Sequence, residues 1–199
     1  MTTDDKPDQQ RRLLLITTTA IGAVGLGLTA VPFVRSMLPS ARAQALGSPV
    51  EINFAGLEEG QMLTVSWRSK PVWVLKRSKE TLKRLTETSD LLVDPESLVE
   101  SQQPAYAQNI NRSVRPDLLV VVGVCTHLGC IPGTRFAVGA TSGLGESWPG
   151  GYFCACHGSK FDLAGRVFKN VPAPTNLVIP PYRFLGKTSV LVGEHPKTA

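Results

Sequence analysis

The feature that most limits how this chain can fold is an apolar run near its amino terminus. Residues 13–34, LLLITTTAIGAVGLGLTAVPFV, form a run of 22 residues without a charged side chain. A helix rises ~1.5 Å per residue, so a helix over this run is about 33 Å long, close to the hydrocarbon thickness of a bilayer. Helices buried in soluble domains are usually shorter. The run therefore predicts a single transmembrane helix near the start of the chain.

Two arginines, Arg11 and Arg12, stand immediately before this run. A twin arginine ahead of an apolar segment resembles the signal of the bacterial pathway that exports folded proteins, and it also fits retention of positive charge in the cytoplasm. The competing interpretation is cleavage at residues 41–43, ARA, which have the form of a signal-peptidase site. Because the apolar run exceeds the usual signal-peptide core of about 7–15 residues, we expect an uncleaved anchor with a cytoplasmic tail at residues 1–12.

Composition and charge exclude several classes of protein. With 42% hydrophobic and 19% charged residues over 199 positions, the chain is neither disordered nor a polytopic membrane protein, and it can form one or at most two domains. The net charge of +5 is scattered, with short basic pairs at Lys76-Arg77 and Lys83-Arg84. Nucleic-acid-binding proteins usually carry a basic stripe interleaved with aromatic residues, so we expect no nucleic acid partner. A solvated surface is the favoured interpretation, with docking to an acidic partner as the alternative.

The chain after the anchor predicts a tether followed by a mainly β domain. Residues 35–48 are small and polar with one proline and one glycine, which is typical of a hinge. Residues 51–67 alternate around a glycine-containing turn, and residues 71–78 are rich in β-forming side chains, so both segments predict strands. The apolar segment at residues 117–124 has the length of a strand. Two more strands are expected within residues 177–193, where Pro-Pro and Gly interrupt the pattern.

Helical signals are few in this domain. Residues 78–88 predict one helix, with Ser78 as its N-cap and two leucines spaced three apart on one face. A short helical turn is expected at residues 95–99, within a segment that otherwise predicts a loop. The third histidine, His195, matches no motif and is expected on the surface.

All four cysteines and two of the three histidines stand in two hexapeptides. These are CTHLGC at residues 125–130 and CACHGS at residues 154–159. A Cys₂His₂ zinc site normally takes both cysteines from one element and both histidines from another. Here each hexapeptide offers one Cys and one His as a matched pair, which suits a two-iron cluster with thiolates on one iron and imidazoles on the other. Two cysteines are then left over, and a structural zinc module remains an alternative.

The two hexapeptides closely resemble the cluster-binding motifs of the Rieske iron–sulfur subunit of respiratory cytochrome bc complexes. The anchor, the tether and the segment VPAPTNL at residues 171–177 extend this resemblance over essentially the whole chain. The resemblance implies one Rieske-type 2Fe–2S cluster. It also implies roles for six side chains: Cys125 and Cys154 on one iron, His127 and His157 on the other, and a disulfide between Cys130 and Cys156.

The same resemblance implies a fold and the roles of neighbouring residues. The fold is mainly β, with a Rieske β-sandwich domain over residues 49–199 and a cluster-binding subdomain inserted at about residues 122–176. The Ser159 hydroxyl is expected to bond a bridging sulfide, and residues 172–174 to form a proline loop over the cluster. Many high-potential relatives carry tyrosine where this chain has Phe161, so we expect a lower potential than theirs.

The function implied is electron transfer within a quinol–cytochrome c oxidoreductase. The subunit would accept one electron from ubiquinol, coupled to a proton at a cluster histidine, and pass it to a c-type cytochrome. His157 is the expected quinol contact, with His127 also exposed, so these two are the expected catalytic residues. A b-type cytochrome would complete the quinol site, the complex would be dimeric, and the Rieske domain would lie on the periplasmic side of a bacterial inner membrane.

Two other functions compete with this one. A Rieske ferredoxin-like carrier of another membrane redox system, or the Rieske domain of an oxygenase, would share the Cys and His ligands. Those proteins typically lack the extra cysteine pair, and the chain has no room for a second, catalytic iron domain. A membrane-anchored zinc module is the other alternative, and the purified protein would then have no visible colour.

Overall fold

A computed structural model describes residues 8–196 of the chain. The first seven residues of the expected cytoplasmic tail therefore lie outside the described residues, as do the last three of the chain. The chain divides into two compact units, Met1–Ala45 and Leu46–Ala199. The first contains the anchor, and the second contains the β domain.

The apolar run lies within helix α1, Gln9–Ser36, which extends the predicted span by a few residues at each end. Asp8 caps the helix by accepting a hydrogen bond from the backbone N–H of Gln10 at 3.0 Å. Thr17 and two following threonines donate their hydroxyls to carbonyls four residues earlier, so these polar groups are satisfied within the helix itself. By length and composition α1 can cross a membrane.

The predicted tether is partly helical. A short helix α2, Ala41–Leu46, occupies its second half. The Ser40 hydroxyl accepts a hydrogen bond from the N–H of Ala43 at 3.2 Å and so starts this helix. Its sequence, ARAQAL, consists entirely of strong helix formers, which is why small side chains here do not give an irregular linker throughout.

The β domain contains three antiparallel sheets of three strands each. The first sheet has the order β1-β9-β8, with β1 at Val50–Asn53, β8 at Tyr182–Phe184 and β9 at Ser189–Val192. The second has the order β2-β3-β4, with β2 at Met62–Trp67, β3 at Lys70–Lys76 and β4 at Leu118–Val122. The third has the order β5-β6-β7, with β5 at Gly133–Arg135, β6 at Gly151–Cys154 and β7 at Ser159–Asp162.

This topology confirms the mainly β prediction and places the third sheet as an insertion. The chain leaves the second sheet at the end of β4, forms β5, β6 and β7, and then returns to the first sheet at β8. The two segments that alternate around a glycine turn, β1 and β2, do not pair with each other. Instead β1 pairs with β9, with Val50 opposite Val192, and β2 pairs with β3.

Helix α3, Lys79–Glu87, confirms the one helix predicted for this domain. Ser78 caps it by accepting a hydrogen bond from the N–H of Thr81 at 3.2 Å. The helical turn expected at residues 95–99 is absent from the described chain. The Asp94 carboxylate accepts hydrogen bonds from the N–H groups of Leu98 and Val99, and these bonds satisfy the amides without a helical turn.

The core is shared by the three sheets. All five residues of β4 are buried, as expected for a continuous apolar strand. Trp73 of β3 stacks on Tyr152 of β6 with ring centroids 4.8 Å apart, so the inserted sheet packs directly on the second sheet. Gly123 follows β4, and a Cβ at this position would overlap the Trp73 indole. This close approach fixes where the chain enters the first cysteine motif.

Candidate metal centre

The two cysteine motifs lie on two loops of the inserted segment. The first follows β4 directly, and the second is the hairpin turn between β6 and β7. Cys154 ends β6 and pairs in register with Ser159, the first residue of β7. A continuous buried strand therefore positions one motif, and a tight hairpin positions the other.

Both loops close with the same backbone hydrogen bond. The N–H of Gly129 donates to the carbonyl of Cys125 at 3.0 Å, and the N–H of Gly158 donates to the carbonyl of Cys154 at 2.9 Å. Both glycines have left-handed backbone conformations, with φ of +83° and +82°. Glycine adopts this region without steric cost, which explains the shared C-x-x-x-G spacing of the two motifs. The two loops therefore present their second to fourth residues in a similar way.

The structure separates the four cysteines into two kinds. A disulfide joins Cys130 to Cys156 and so ties the two loops together. Cys125 and Cys154 are free and buried, with only 3% and 2% of their surfaces exposed. The sulfur atoms of Cys130, Cys154 and Cys156 lie within 4.8 Å of one another, but a disulfide supplies no thiolate to a metal. The available thiolate donors are therefore Cys125 and Cys154.

The two histidines of the motifs face each other at the surface. The rings of His127 and His157 are perpendicular, with centroids 4.7 Å apart. His157 is exposed as expected, whereas His127 is half-buried rather than fully exposed. Two thiols thus lie inside and two imidazoles lie outside. This set of two thiols and two imidazoles fits the donors that a 2Fe–2S cluster of mixed Cys and His ligation would need.

Burial also changes the acidity of the Cys154 thiol. Removal from solvent raises the pKa of the Cys154 thiol, and the neighbouring Cys125 side chain raises it further, against the lowering effect of backbone hydrogen bonds. The inner side of the site is therefore a low-dielectric environment.

A third segment is fastened to both motifs. The Ser159 hydroxyl, which is fully buried, accepts a hydrogen bond from the N–H of Ala173 at 3.0 Å. The Thr126 hydroxyl donates to the carbonyl of Thr175 at 2.7 Å. Sequence analysis anticipated a proline loop at residues 172–174 but missed the role of Thr126, whose position between Cys125 and His127 was the available signal. The Ser159 hydroxyl proton remains free to be donated to another acceptor.

A buried ionic network lies at the end of β7, and sequence analysis missed it. Asp162 and Arg166 form an ion pair at 2.7 Å, and both side chains are buried. Arg166 also donates to the carbonyls of Leu85 in α3 and Pro95. The first two sheets and α3 form the base of the β domain. These bonds connect the inserted sheet to α3 in the base and so hold the hairpin of the second motif in place.

Two further buried arginines surround this network. Arg77 donates to the carbonyls of Asn111 and Pro116, and Arg112 donates to that of Ala164. Burial lowers the pKa of both arginines to about 10, so both remain charged at neutral pH.

Phe161 lies on β7 directly opposite Tyr152 of β6, and both rings are fully buried. Burial raises the pKa of Tyr152, and its hydroxyl has no hydrogen-bond partner among the described residues. Because residue 161 is phenylalanine, the ring is present at this buried position but no hydroxyl is available there as a hydrogen-bond donor.

Comparison with known proteins agrees with this arrangement. The family model "Rieske [2Fe-2S] domain" matches residues 51–183, which include both motifs. The chain belongs to the Rieske iron–sulfur protein family. A second family model, "Ubiquitinol-cytochrome C reductase Fe-S subunit TAT signal", matches residues 1–40 and confirms the predicted twin-arginine signal.

Several bacterial relatives match most of the length of this Rieske protein. Each is named ubiquinol–cytochrome c reductase iron–sulfur subunit. The relative from Allochromatium vinosum is 55% identical over 185 residues, covering 93% of this chain and 88% of that one. The relative from Rhodospirillum rubrum is 43% identical over 176 residues, covering 88% and 87%. The relative from Blastochloris viridis is 38% identical over 196 residues, covering 97% and 98%.

These matches establish the cofactor class and the anchoring. The Rieske domain holds a 2Fe–2S cluster, and the protein is a membrane-anchored bacterial subunit.

Proposed function

We propose that this Rieske protein is the electron-transfer subunit of a respiratory quinol–cytochrome c oxidoreductase. It would accept one electron from ubiquinol, together with a proton at a cluster histidine, and pass the electron to a c-type cytochrome. The observation that carries this proposal is the pair of imidazoles at the surface outside two buried free thiols. The names of the bacterial relatives support the same function.

Six side chains have the roles that the resemblance implies. Cys125 and Cys154 would bind one iron, and His127 and His157 would bind the other. The Cys130–Cys156 disulfide would maintain the geometry of the two loops. When bound, the cluster supplies a one-electron acceptor whose potential is raised by its two neutral imidazole ligands.

The histidines couple electron transfer to proton transfer. His157 is exposed, so its ring nitrogen that is free of iron could accept a hydrogen bond and then a proton from a quinol hydroxyl. His127 is half-buried and less accessible to a substrate. We therefore assign the quinol contact to His157, with His127 as the second proton-holding imidazole.

Residues around the motifs keep these donors in place. The Ser159 hydroxyl accepts from Ala173 and can donate its own proton toward the site, where it would stabilise added negative charge. Thr126 fixes the first loop to the carbonyl of Thr175. Together these two side chains hold residues 172–175 against both loops and limit access of water.

The subunit would act within a larger assembly. A b-type cytochrome would complete the quinol site, a c-type cytochrome would accept the electron, and the complex would be dimeric. In this arrangement residues 1–12 are cytoplasmic, residues 13–34 span the bilayer, and residues 35–48 act as a swivelling tether. The Rieske domain at residues 49–199, with its cluster-binding subdomain at about residues 122–176, lies on the periplasmic side.

Electron paramagnetic resonance on membranes tests this function. Reduction by ascorbate should produce a Rieske-type signal, which indicates a high-potential cluster. A signal that requires dithionite would contradict quinol oxidation and favour a low-potential, ferredoxin-like carrier. Absence of a signal from metal-loaded protein would favour zinc.

Matched histidine variants test the ligand assignment. His157→Gln should abolish the signal because it removes one imidazole donor. His195→Gln changes the third histidine, which is exposed and outside both motifs, and should leave the signal intact. A Rieske signal that persists in His157→Gln would overturn the ligand set.

A further inference from the structure

A cavity of about 550 Å³ lies beside the first cysteine motif. Ligand-binding cavities commonly have volumes of about 300–1,000 Å³, so this one can take a small organic molecule. Cys125 and Thr126 form part of its wall, whereas neither His127 nor His157 lines it. The cavity therefore borders the first motif at its cysteine end rather than at the histidines, where the quinol contact is proposed.

The wall of this cavity is largely apolar and preformed. Valine, isoleucine and proline side chains from β4 and from residues 178–181 supply part of it. The N–H of Val122 donates to the carbonyl of Val178 at 2.8 Å, and the N–H of Ile179 donates to the carbonyl of Gln102 at 2.8 Å. Because these backbone groups are already paired, the wall needs no rearrangement to accept an apolar ligand.

The charged side chains that line the cavity are basic. Arg68, Lys70 and His195 are exposed at its edge, and the described residues that line it include no carboxylate. The Arg68 guanidinium lies over the Trp67 ring, 4.6 Å from its centroid, which restrains the cation against the wall. An apolar cavity with two cations at its edge is complementary to a ligand with an anionic group on an apolar body.

We propose that this cavity binds a small anionic amphiphile, with its carboxylate or sulfonate at Arg68 and Lys70 and its apolar part against Val178. Because Cys125 also lines the cavity, a bound anion lies near the metal centre. Negative charge there disfavours the reduced cluster and lowers its reduction potential. This second consequence rests on the proposed role of Cys125 as an iron ligand, whereas the binding itself does not.

Calorimetric titration of the full-length holoprotein in nanodiscs tests the binding. Naphthalene-2-sulfonate is the anionic probe, naphthalene-2-sulfonamide is its neutral counterpart, and empty nanodiscs are the blank. We expect saturable binding of one sulfonate per protein. The sulfonamide should bind at least about tenfold more weakly. Absence of saturable binding, or equal affinity for the two probes, would overturn the proposal.

Two variants test whether the bound probe lies in this cavity, and one further variant is the matched control. Arg68→Gln combined with Lys70→Gln should weaken sulfonate binding about tenfold, because both cations are lost. Lys79→Gln combined with Lys83→Gln removes the same charge from α3 and should leave binding unchanged. Val178→Trp changes a wall residue that is 37% exposed, and it should reduce binding of both probes by filling the cavity. Unchanged binding in the first and third variants would show that the probe binds elsewhere.

Redox titration of the Rieske signal tests the coupling to the metal centre. Sulfonate at a concentration near its dissociation constant should lower the midpoint potential of the unmodified protein. It should change that of the Arg68→Gln, Lys70→Gln variant much less, because this variant binds sulfonate about tenfold more weakly. Binding with no change in potential would overturn the coupling through Cys125. The presence of the ascorbate-reducible signal tests the proposed function separately, so the two failures are distinguishable.

Discussion

At the scale of single residues, two glycines determine the shape of both metal-binding loops. Gly129 and Gly158 occupy the left-handed region and close each loop onto the cysteine four residues earlier. The cysteines then lie at the buried base of each loop, and the histidines lie nearer to solvent. Cys154 is a free, buried thiol, whereas Cys156, two residues later, is part of a disulfide. The shape of the loop therefore decides the chemical state of a cysteine as much as its residue type does.

Phe161 gives a prediction at the same scale. Phe161→Tyr should raise the reduction potential, because the resemblance places a hydroxyl there within reach of a ligand cysteine sulfur. A hydrogen bond that favours the reduced form by about 1 kcal/mol corresponds to about 40 mV for one electron. Redox titration of the Rieske signal measures the change.

A matched variant controls for the added hydroxyl. Phe168 is also buried but packs on Trp148, with ring centroids 5.6 Å apart, in a separate cluster of apolar side chains. Phe168→Tyr should leave the potential unchanged. If Phe161→Tyr leaves it unchanged as well, the proposed effect of the missing hydroxyl is wrong.

At the scale of elements, the contact between β3 and the chain after β4 links the base to the metal centre. Gly123 lies against the Trp73 indole, which in turn stacks on Tyr152 of the inserted sheet. The position of the first cysteine motif relative to the second thus depends on one small residue and two aromatic rings. Packing here is close enough that an added methyl group has no space.

Gly123→Ala is therefore expected to destabilise the domain by about 2 kcal/mol, because its Cβ would overlap the Trp73 ring. Chemical denaturation of the full-length protein measures this change. Gly56→Ala is the matched control, since a Cβ at Gly56 meets nothing within 4 Å. Equal stability of the two variants would show that the core adjusts more readily than the packing indicates.

At the scale of the whole molecule, the hydroxyls of the buried Tyr182 and the half-buried Tyr106 connect separate segments of the base. Tyr182 accepts a hydrogen bond from the N–H of Val114 at 2.9 Å, and its own N–H donates to the Tyr106 hydroxyl at 2.8 Å. Burial raises the pKa of Tyr182 to about 12 and also raises that of Tyr106. The first sheet is thereby connected to the irregular segment that precedes β4.

This gives a prediction for alkaline pH. Tyrosine in an unfolded chain ionises near pH 10, so between about pH 10 and 12 the folded protein retains a proton at Tyr182 that the unfolded chain loses. The stabilising contribution of Tyr182 is fully present below about pH 10 and is lost as pH rises toward 12. We estimate this loss at about 2 kcal/mol.

Denaturation curves of the unmodified protein and of Tyr182→Phe measure this loss of stability at alkaline pH. The difference in their free energies of unfolding should narrow by about 2 kcal/mol between pH 10 and 12. Burial lowers the pKa values of Arg77 and Arg112, which act in the opposite direction. The contribution of Arg112 cancels in this difference, and the interaction of Arg77 with Tyr182 is already included in the raised pKa of Tyr182. A difference that stays constant over this pH range would contradict the prediction.

The proposed tether gives a second prediction for the whole molecule. Deleting residues 37–40, the segment between α1 and α2, should lower turnover of the assembled complex by about tenfold or more, because a shorter connection restricts movement of the domain. The Rieske signal should not change. Turnover is measured as quinol-dependent cytochrome c reduction by membranes.

An equal-length replacement controls for the deletion. Gly and Ser residues at positions 37–40 keep the reach of the segment and should preserve turnover. Unaffected turnover in the deletion variant would contradict the swivelling mechanism.

The sequence by itself determined the features that depend on local spacing. The charge-free run predicts α1 through its length alone, the cap at Ser78 predicts α3, and the continuous apolar residues before Cys125 predict β4. The paired Cys and His spacing, with its resemblance to Rieske motifs, identified the cofactor and the family. Each of these signals is contained within a short stretch of chain, so no knowledge of distant contacts is needed to interpret it.

Only the tertiary structure decided which distant residues meet. Alternation predicts that β1 is a strand, but its pairing with β9 depends on contacts across most of the domain. The bond from Thr126 to Thr175 and the bond from Arg166 to the carbonyl of Leu85 arise because separate segments converge on one core. The cavity beside Cys125 likewise combines residues from five separate parts of the chain. A pattern in the sequence reports the preference of each segment, whereas these features depend on how segments far apart in the chain pack together.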